Sequence, residues 1–164
     1  MRKRRVELPK ITFDEMLENL ANQEISVENI MNVAEAEFIL GRHGQLEAVR
    51  LAEKRFQKYM EKRGFELPPL AQESMRKNIH ANAYLEVAVR KIIGKFGVAG
   101  ARVIDYMRLA RRVSSIVHRK PYNAWVKHIK NTINYWVEFY DCDPKIAYIV
   151  ALVSAKIAYD IWHS

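Results

Sequence analysis

From Ile146 to Ala155 the chain is apolar at every position except Ser154, and Ile157, Ala158, Ile161 and Trp162 extend that character almost to the C-terminus. Asp143-Pro144 stands just before this stretch, a side-chain cap followed by proline at the first helical position. The stretch reads as a helix that is hydrophobic all round, and such a helix must be buried all round. A chain of 164 residues has difficulty enclosing one completely. Another subunit, or lipid, is therefore expected to cover part of it. No run approaches the roughly 18 apolar residues of a membrane span.

With only 6 Gly and 5 Pro, the chain has little turn material for a sandwich or barrel of short strands. Its punctuation instead divides it into helices, and the fold class is all-α. Thr12 with Glu15 forms a capping box for a first helix, Phe13 to about Leu20. Ser26 caps a second, with Ile30, Val33, Ala34 and Phe38, ended by Gly41. After a Gly41-Arg42-His43-Gly44 turn, a third runs from Gln45 to Arg63 and closes at Gly64. Pro68-Pro69 opens a fourth that reaches about Ile93, and the Phe96-Gly97-Val98-Ala99-Gly100 turn separates it from a fifth, Ala101 to Val117 or His118. Pro121 opens a sixth that ends near Tyr140, with Trp125, Ile129, Ile133, Trp136 and Tyr140 on one face. The seventh is the apolar helix.

Catalytic chemistry finds no foothold in the sequence. His43, His80, His118, His128 and His163 make no metal-ligand spacing, and there is no phosphate-cradling glycine loop. Asp141 and Asp143 flank Cys142, but the pair reads as a helix-connecting turn with Asp143 as a cap, not as a metal site. No enzyme, cofactor or metal is expected. The single cysteine excludes an intrachain disulfide framework, and the apolar core of a signal peptide is missing after Met1-Arg2-Lys3-Arg4-Arg5, so assembly in the cytoplasm is expected.

The charge is distributed in blocks. Residues 2–5 carry +4; residues 7–37 hold eight acids against Lys10, for −7; residues 42–63 carry +4; residues 95–130 hold nine bases against Asp105, for +8. Two helices concentrate the bases into stripes. In the third, Arg50, Lys54, Lys58 and Lys62 recur every four residues with Arg55 and Arg63 alongside. In the fifth, with Arg108 as zero and about 100° per residue, Arg111 falls near −60°, Arg112 near +40° and Arg119 near +20°. Val103, Ala110, Val113 and Val117 occupy the opposite side. Arginine suits phosphate because its planar fork donates paired hydrogen bonds and keeps its charge. Without a recognised base-reading motif, these ten residues are expected to contact the DNA backbone and to read little sequence. A second target competes for the fifth-helix stripe: the acidic segment Glu7 to Glu37 of a neighbouring subunit. The reading places both stripes on DNA, with the third helix the more central.

The C-terminal part carries a resemblance. Phe96-Gly97-Val98-Ala99-Gly100, an arginine-rich helix, Ile133-Asn134-Tyr135-Trp136-Val137-Glu138-Phe139-Tyr140 and Asp143-Pro144-Lys145-Ile146 follow in order before the apolar helix. Over roughly residues 92–162 this resembles the major coat proteins of the rod-shaped and filamentous double-stranded DNA viruses of hyperthermophilic archaea, the rudivirus, lipothrixvirus and tristromavirus group. The resemblance implies a DNA-wrapping helical arm with the basic N-terminus in residues 1–94, and a C-terminal helical bundle in residues 95–164. It further implies pairs of subunits, identical or of two related coat proteins, clamping A-form double-stranded DNA in a helical virion filament. Some members carry a lipid envelope. The runner-up is a cellular or plasmid-encoded architectural or regulatory DNA-binding protein. A third reading is a helical bundle that sets its basic face on anionic lipid.

Overall fold

The computed structural model describes residues 41–63, 66–98 and 100–162. The first two expected helices, the basic N-terminus and the acidic segment lie outside them. Five helices make up the described residues: α1 (Gly41–Lys62), α2 (Pro69–Phe96), α3 (Val103–Arg119), α4 (Trp125–Tyr140) and α5 (Pro144–Trp162), with a 3-10 turn at Tyr122–Ala124. There is no strand among them, and the fold is all-α.

The boundaries follow local chemistry, with three departures from expectation. Gly41 to Gly44 is helix, not a turn, so α1 begins four residues early. Glycine is tolerated in a helix at about 1 kcal/mol relative to alanine, and the buried Ala48 and Ala52 give α1 a seat on α2 that offsets it. α2 runs through Gly94 and stops at Gly97, whose positive φ of 87° turns the chain while its N–H donates to the Ile93 carbonyl at 2.8 Å. Pro121 leads into the 3-10 turn, and Trp125 opens α4 with its indole N–H on the Lys120 carbonyl at 2.8 Å. The expected Asp143 cap forms: its Oδ1 accepts from the backbone of Lys145 at 3.0 Å and of Ile146 at 3.1 Å.

α5 lies at the centre. Ile146, Ala147, Ile149, Val150, Ala151, Leu152, Val153, Ser154, Ala155, Ile157 and Ala158 are all buried, which covers every side of the helix. Its neighbours are α2, α3 and α4 of the same chain. This corrects the expectation that a second subunit or lipid must cover it. The cover comes from the second half of α2, where Leu85, Val89 and Ile92 join the core of α3, α4 and α5. The same fact corrects the division at residues 94 and 95: the core crosses it, and α2 belongs to the bundle. At about 1.5–3 kcal/mol for each fully buried large aliphatic side chain, these contacts dominate the bundle's stability. The face expected for α4 is also found, with Trp125, Ile129 and Ile133 buried and Trp136 and Tyr140 half-buried. Val103 departs from its side of α3: at the first position of that helix it lies past the end of the core and is exposed.

Two turns meet at one end of the bundle. Tyr106, fully buried on α3, accepts a hydrogen bond through its hydroxyl from the Asp143 N–H at 2.9 Å. Gly100 has φ 71°, and a Cβ there would lie 2.6 Å from the Asp141 carbonyl oxygen. Gly94 has nothing within 4 Å of the same position. The two glycines therefore predict opposite outcomes. Gly94→Ala should raise stability by about 0.5–1 kcal/mol, whereas Gly100→Ala should lower it by about 2–4 kcal/mol through left-handed strain and a backbone clash. Urea unfolding of the two variants, compared through midpoint at constant slope, measures both.

Candidate nucleic-acid interface

The short connection at residues 63–68 makes α1 and α2 an antiparallel pair. Half-buried Arg55 crosses between them to Glu86 at 2.5 Å, and Glu86 also takes Arg90 at 2.8 Å. The guanidinium of Arg76 lies 4.9 Å from the centre of the Phe56 ring. These contacts fix the outward face of α1. Arg50, Lys54, Lys58 and Lys62 are exposed on it, and Arg63 is exposed just past its end. Arg55 is not part of that surface, because its charge is engaged by Glu86.

The ridge is less basic than its lysines suggest. With Arg50 as zero, Lys54, Lys58 and Lys62 fall at about 40°, 80° and 120°, but Glu61 falls at about 20° and Glu47 at about 60°. Glu53 flanks them, and all three glutamates are exposed. Four bases thus share the outward face of α1 with three acids.

On α3 the segregation is complete. Arg108, Arg111, Arg112 and Arg119 are all exposed, Ser115 is half-buried between them, and Ala110, Val113 and Val117 are buried behind. The helix's one acid, Asp105, is 4 % exposed and turned away: its Oδ2 accepts from the Arg102 N–H at 3.0 Å and lies 3.5 Å from Arg102 Nε. None of the four arginines makes an ion pair with a carboxylate of the described residues. α3, not α1, presents the stronger field, because no carboxylate is interleaved with its guanidinium groups. At the far end of α3, His118 stacks on Trp162 of α5 with ring centres 3.7 Å apart, which holds that end of the arginine row against the bundle.

One surface feature was not separated from the core by sequence reading. Tyr135 and Phe139 are exposed, the latter at 64 %, with their rings 4.7 Å apart. Their i, i+4 spacing places them off the face that carries Ile129 and Ile133, so the helical wheel held the signal. Val98, Val103 and Ile104 are the other exposed apolar side chains around the 97–103 turn.

No group of three or more His, Cys, Asp or Glu side chains that could hold a metal occurs among the described residues. Cys142 is buried, and burial, with the Asp105 and Asp141 charges as lesser causes, pushes its thiol up to about 11. Comparison with known protein families, characterised proteins and solved structures finds no match.

The raised thiol value sets a pH dependence. The folded state holds the proton more tightly than the unfolded chain, so the thiol's contribution is fully present below its ordinary value and is lost as pH rises towards about 11. Native protein at pH 8 should resist iodoacetamide until it unfolds. Its stability should fall between roughly pH 9 and 11 more than that of Cys142→Ala, by about 2–3 kcal/mol. Labelling by mass spectrometry and paired denaturation curves measure the two effects.

Proposed function

We propose that this chain is a structural coat protein that dimerises, wraps linear double-stranded DNA through backbone phosphate contacts, and assembles into a helical virion filament. The observation that carries the reading is the α3 face: four exposed guanidinium groups with no acid among them. Such a surface attracts a polyanion, and its guanidinium forks suit paired phosphate oxygens. A protein that covers a whole genome needs that kind of contact, because it meets every sequence along the way. The α1 ridge adds a second basic surface of lower net charge, and the sequence adds four consecutive bases at Arg2-Lys3-Arg4-Arg5.

Two further considerations support the reading. Helices satisfy their own backbone hydrogen bonds, so a helical coat remains stable where water is excluded between copies and DNA. The resemblance of residues 92–162 to archaeal filamentous-virus coat proteins points to the same role, and with it to A-form DNA and a virion location. Dense guanidinium and little water favour A-form, whose phosphates lie closer together along each strand.

Electron microscopy of purified protein with linear duplex should show long uniform filaments. Discrete footprints would favour an architectural or regulatory DNA-binding protein instead. With about six phosphates neutralised, log K should fall against log salt with a slope near −5, independent of sequence. Arg108→Glu with Arg111→Glu should weaken binding and reduce the slope by about 2. Lys54→Glu with Lys58→Glu should weaken it less, given the interleaved glutamates. If neither pair changes affinity at low salt, the basic faces are merely solvated and the reading fails.

A further inference from the structure

The two exposed rings of α4 lie beside the arginine face of α3, and ring contacts at the other end of the bundle establish it. α3, α4 and α5 alternate in direction across two short connections, so α3 and α5 run the same way. Viewed from the N-terminus of α3, angles advance clockwise along α3 and α5 and counterclockwise along α4. On α5, Tyr159 meets Trp125 of α4, and Trp162 stacks on His118 of α3. Trp162 falls about 60° counterclockwise of Tyr159. Seen from α5, α3 is therefore counterclockwise of α4, which sets α4 on the Arg112 side of the arginine row. With Arg108 as zero, His118 lies near −80°, on the side away from α4. Asp105, near +60°, lies on the α4 side, and its charge reaches Cys142 just past the end of α4.

The buried face of α4 points into the groove between α3 and α5. With Tyr135 as zero, the buried Thr132, Trp125, Ile129 and Ile133 fall at about 60°, 80°, 120° and 160°. Tyr135, and Phe139 at about 40°, flank the α3 edge of that face, whereas Lys130, near 220°, flanks the α5 edge. The Trp125 indole on Lys120 and the Tyr106 hydroxyl on Asp143 tie the antiparallel α3 and α4–α5 turn at both ends. Counting inward from these ties, Phe139 is level with Arg108 and Tyr135 with Arg112. Two rings and two guanidinium groups thus form parallel rows on one surface, each with a step of about 6 Å.

We propose that this surface binds a single nucleic-acid strand, with its phosphates on Arg108 and Arg112 and its bases stacked on Tyr135 and Phe139. Phe139 is 64 % exposed and Tyr135 48 %, which leaves ring surface for a planar base to cover. Every base has a π-face, so such a contact tolerates any sequence. A duplex keeps its bases paired and stacked inside; it offers the arginines phosphate and leaves the rings bare. Anionic lipid is the poorer match. The α4 positions flanking the rings on their outer side are Asn131, Asn134 and Glu138, all exposed. A carboxylate there is repelled by an anionic membrane, and side-chain amides can both donate to and accept from base edges. The site shares its arginines with the coat reading, but the rings separate the two.

The test is fluorescence anisotropy of the full-length protein at low salt with three labelled probes of equal length: an oligothymidylate, an abasic strand and a duplex. Wild type should bind the oligothymidylate about tenfold or more tightly than the abasic strand. Phe139→Ala and Tyr135→Ala should each weaken oligothymidylate binding by about tenfold, and Phe139→Tyr should keep it. None of the three should change duplex or abasic binding, whereas Arg108→Glu with Arg112→Glu should weaken all of it. Melting followed by circular dichroism should match wild type for the ring variants, because both rings are exposed. Equal affinity for the oligothymidylate and the abasic strand, or alanine variants that bind oligothymidylate as wild type does, would overturn the proposal whether or not the duplex binds. A ring effect confined to phosphatidylglycerol vesicles would overturn it in favour of lipid. Ring-dependent binding of the single strand with no duplex binding would uphold it and sink the coat reading.

Discussion

A helix with apolar side chains around its whole circumference offers no face to water, so α5 persists only where neighbours close round it. That requirement orders the bundle. α3 supplies Leu109, Ala110, Val113 and Val117, α4 supplies Trp125, Ile129 and Ile133, and the second half of α2 supplies Leu85, Val89 and Ile92. The turns obey it too. Gly100 can approach the Asp141 carbonyl only without a Cβ, and Tyr106 reaches the Asp143 N–H only because α3 and the α4–α5 turn are drawn against the same core. α3 is then oriented by its own amphipathicity: its apolar side meets α5, and its arginines have nowhere to go but outward.

The described helices were legible in the sequence because proline, the Gly97–Gly100 turn and the Asp143 cap act locally. The apolar face of α4 was legible because its spacing repeats. What could not be read was which element would cover α5. Burial of α5 is a property of three dimensions, and the second half of α2, with Ala81, Ala83, Val87 and Ala88 among its small side chains, carries no local mark of its role. The glycines at 41 and 44 misled for a related reason: their preference for turns is worth only about 1 kcal/mol each, and α1 is seated on α2 along its length, with Ala48 and Ala52 buried. On the candidate site, periodicity found both basic stripes. Its ranking of them counted bases without asking which acids shared their side, as Glu47 and Glu61 do on α1 and no residue does on α3.

The difference between the two stripes is physical. A lysine beside a glutamate already has part of its field cancelled at short range, and salt removes much of what remains within about 8–10 Å. Four arginines on one face repel one another instead, and that repulsion is relieved when an anion arrives. The folded chain tolerates it because the side chains are long and solvated. Arginine adds to this charge a planar fork that pairs with two oxygens at once, where a lysine ammonium offers a point charge.

A guanidinium fork recognises oxygen pairs, and a carboxylate presents them much as a phosphate does. The α3 face therefore cannot by its own chemistry distinguish the backbone of DNA from the acidic segment of another copy; supply and geometry decide. The chain's net charge of +8 works against bringing copies together. It is the remainder left after residues 7–37 contribute −7, so without that segment the repulsion between neighbours would be nearly twice as large in charge.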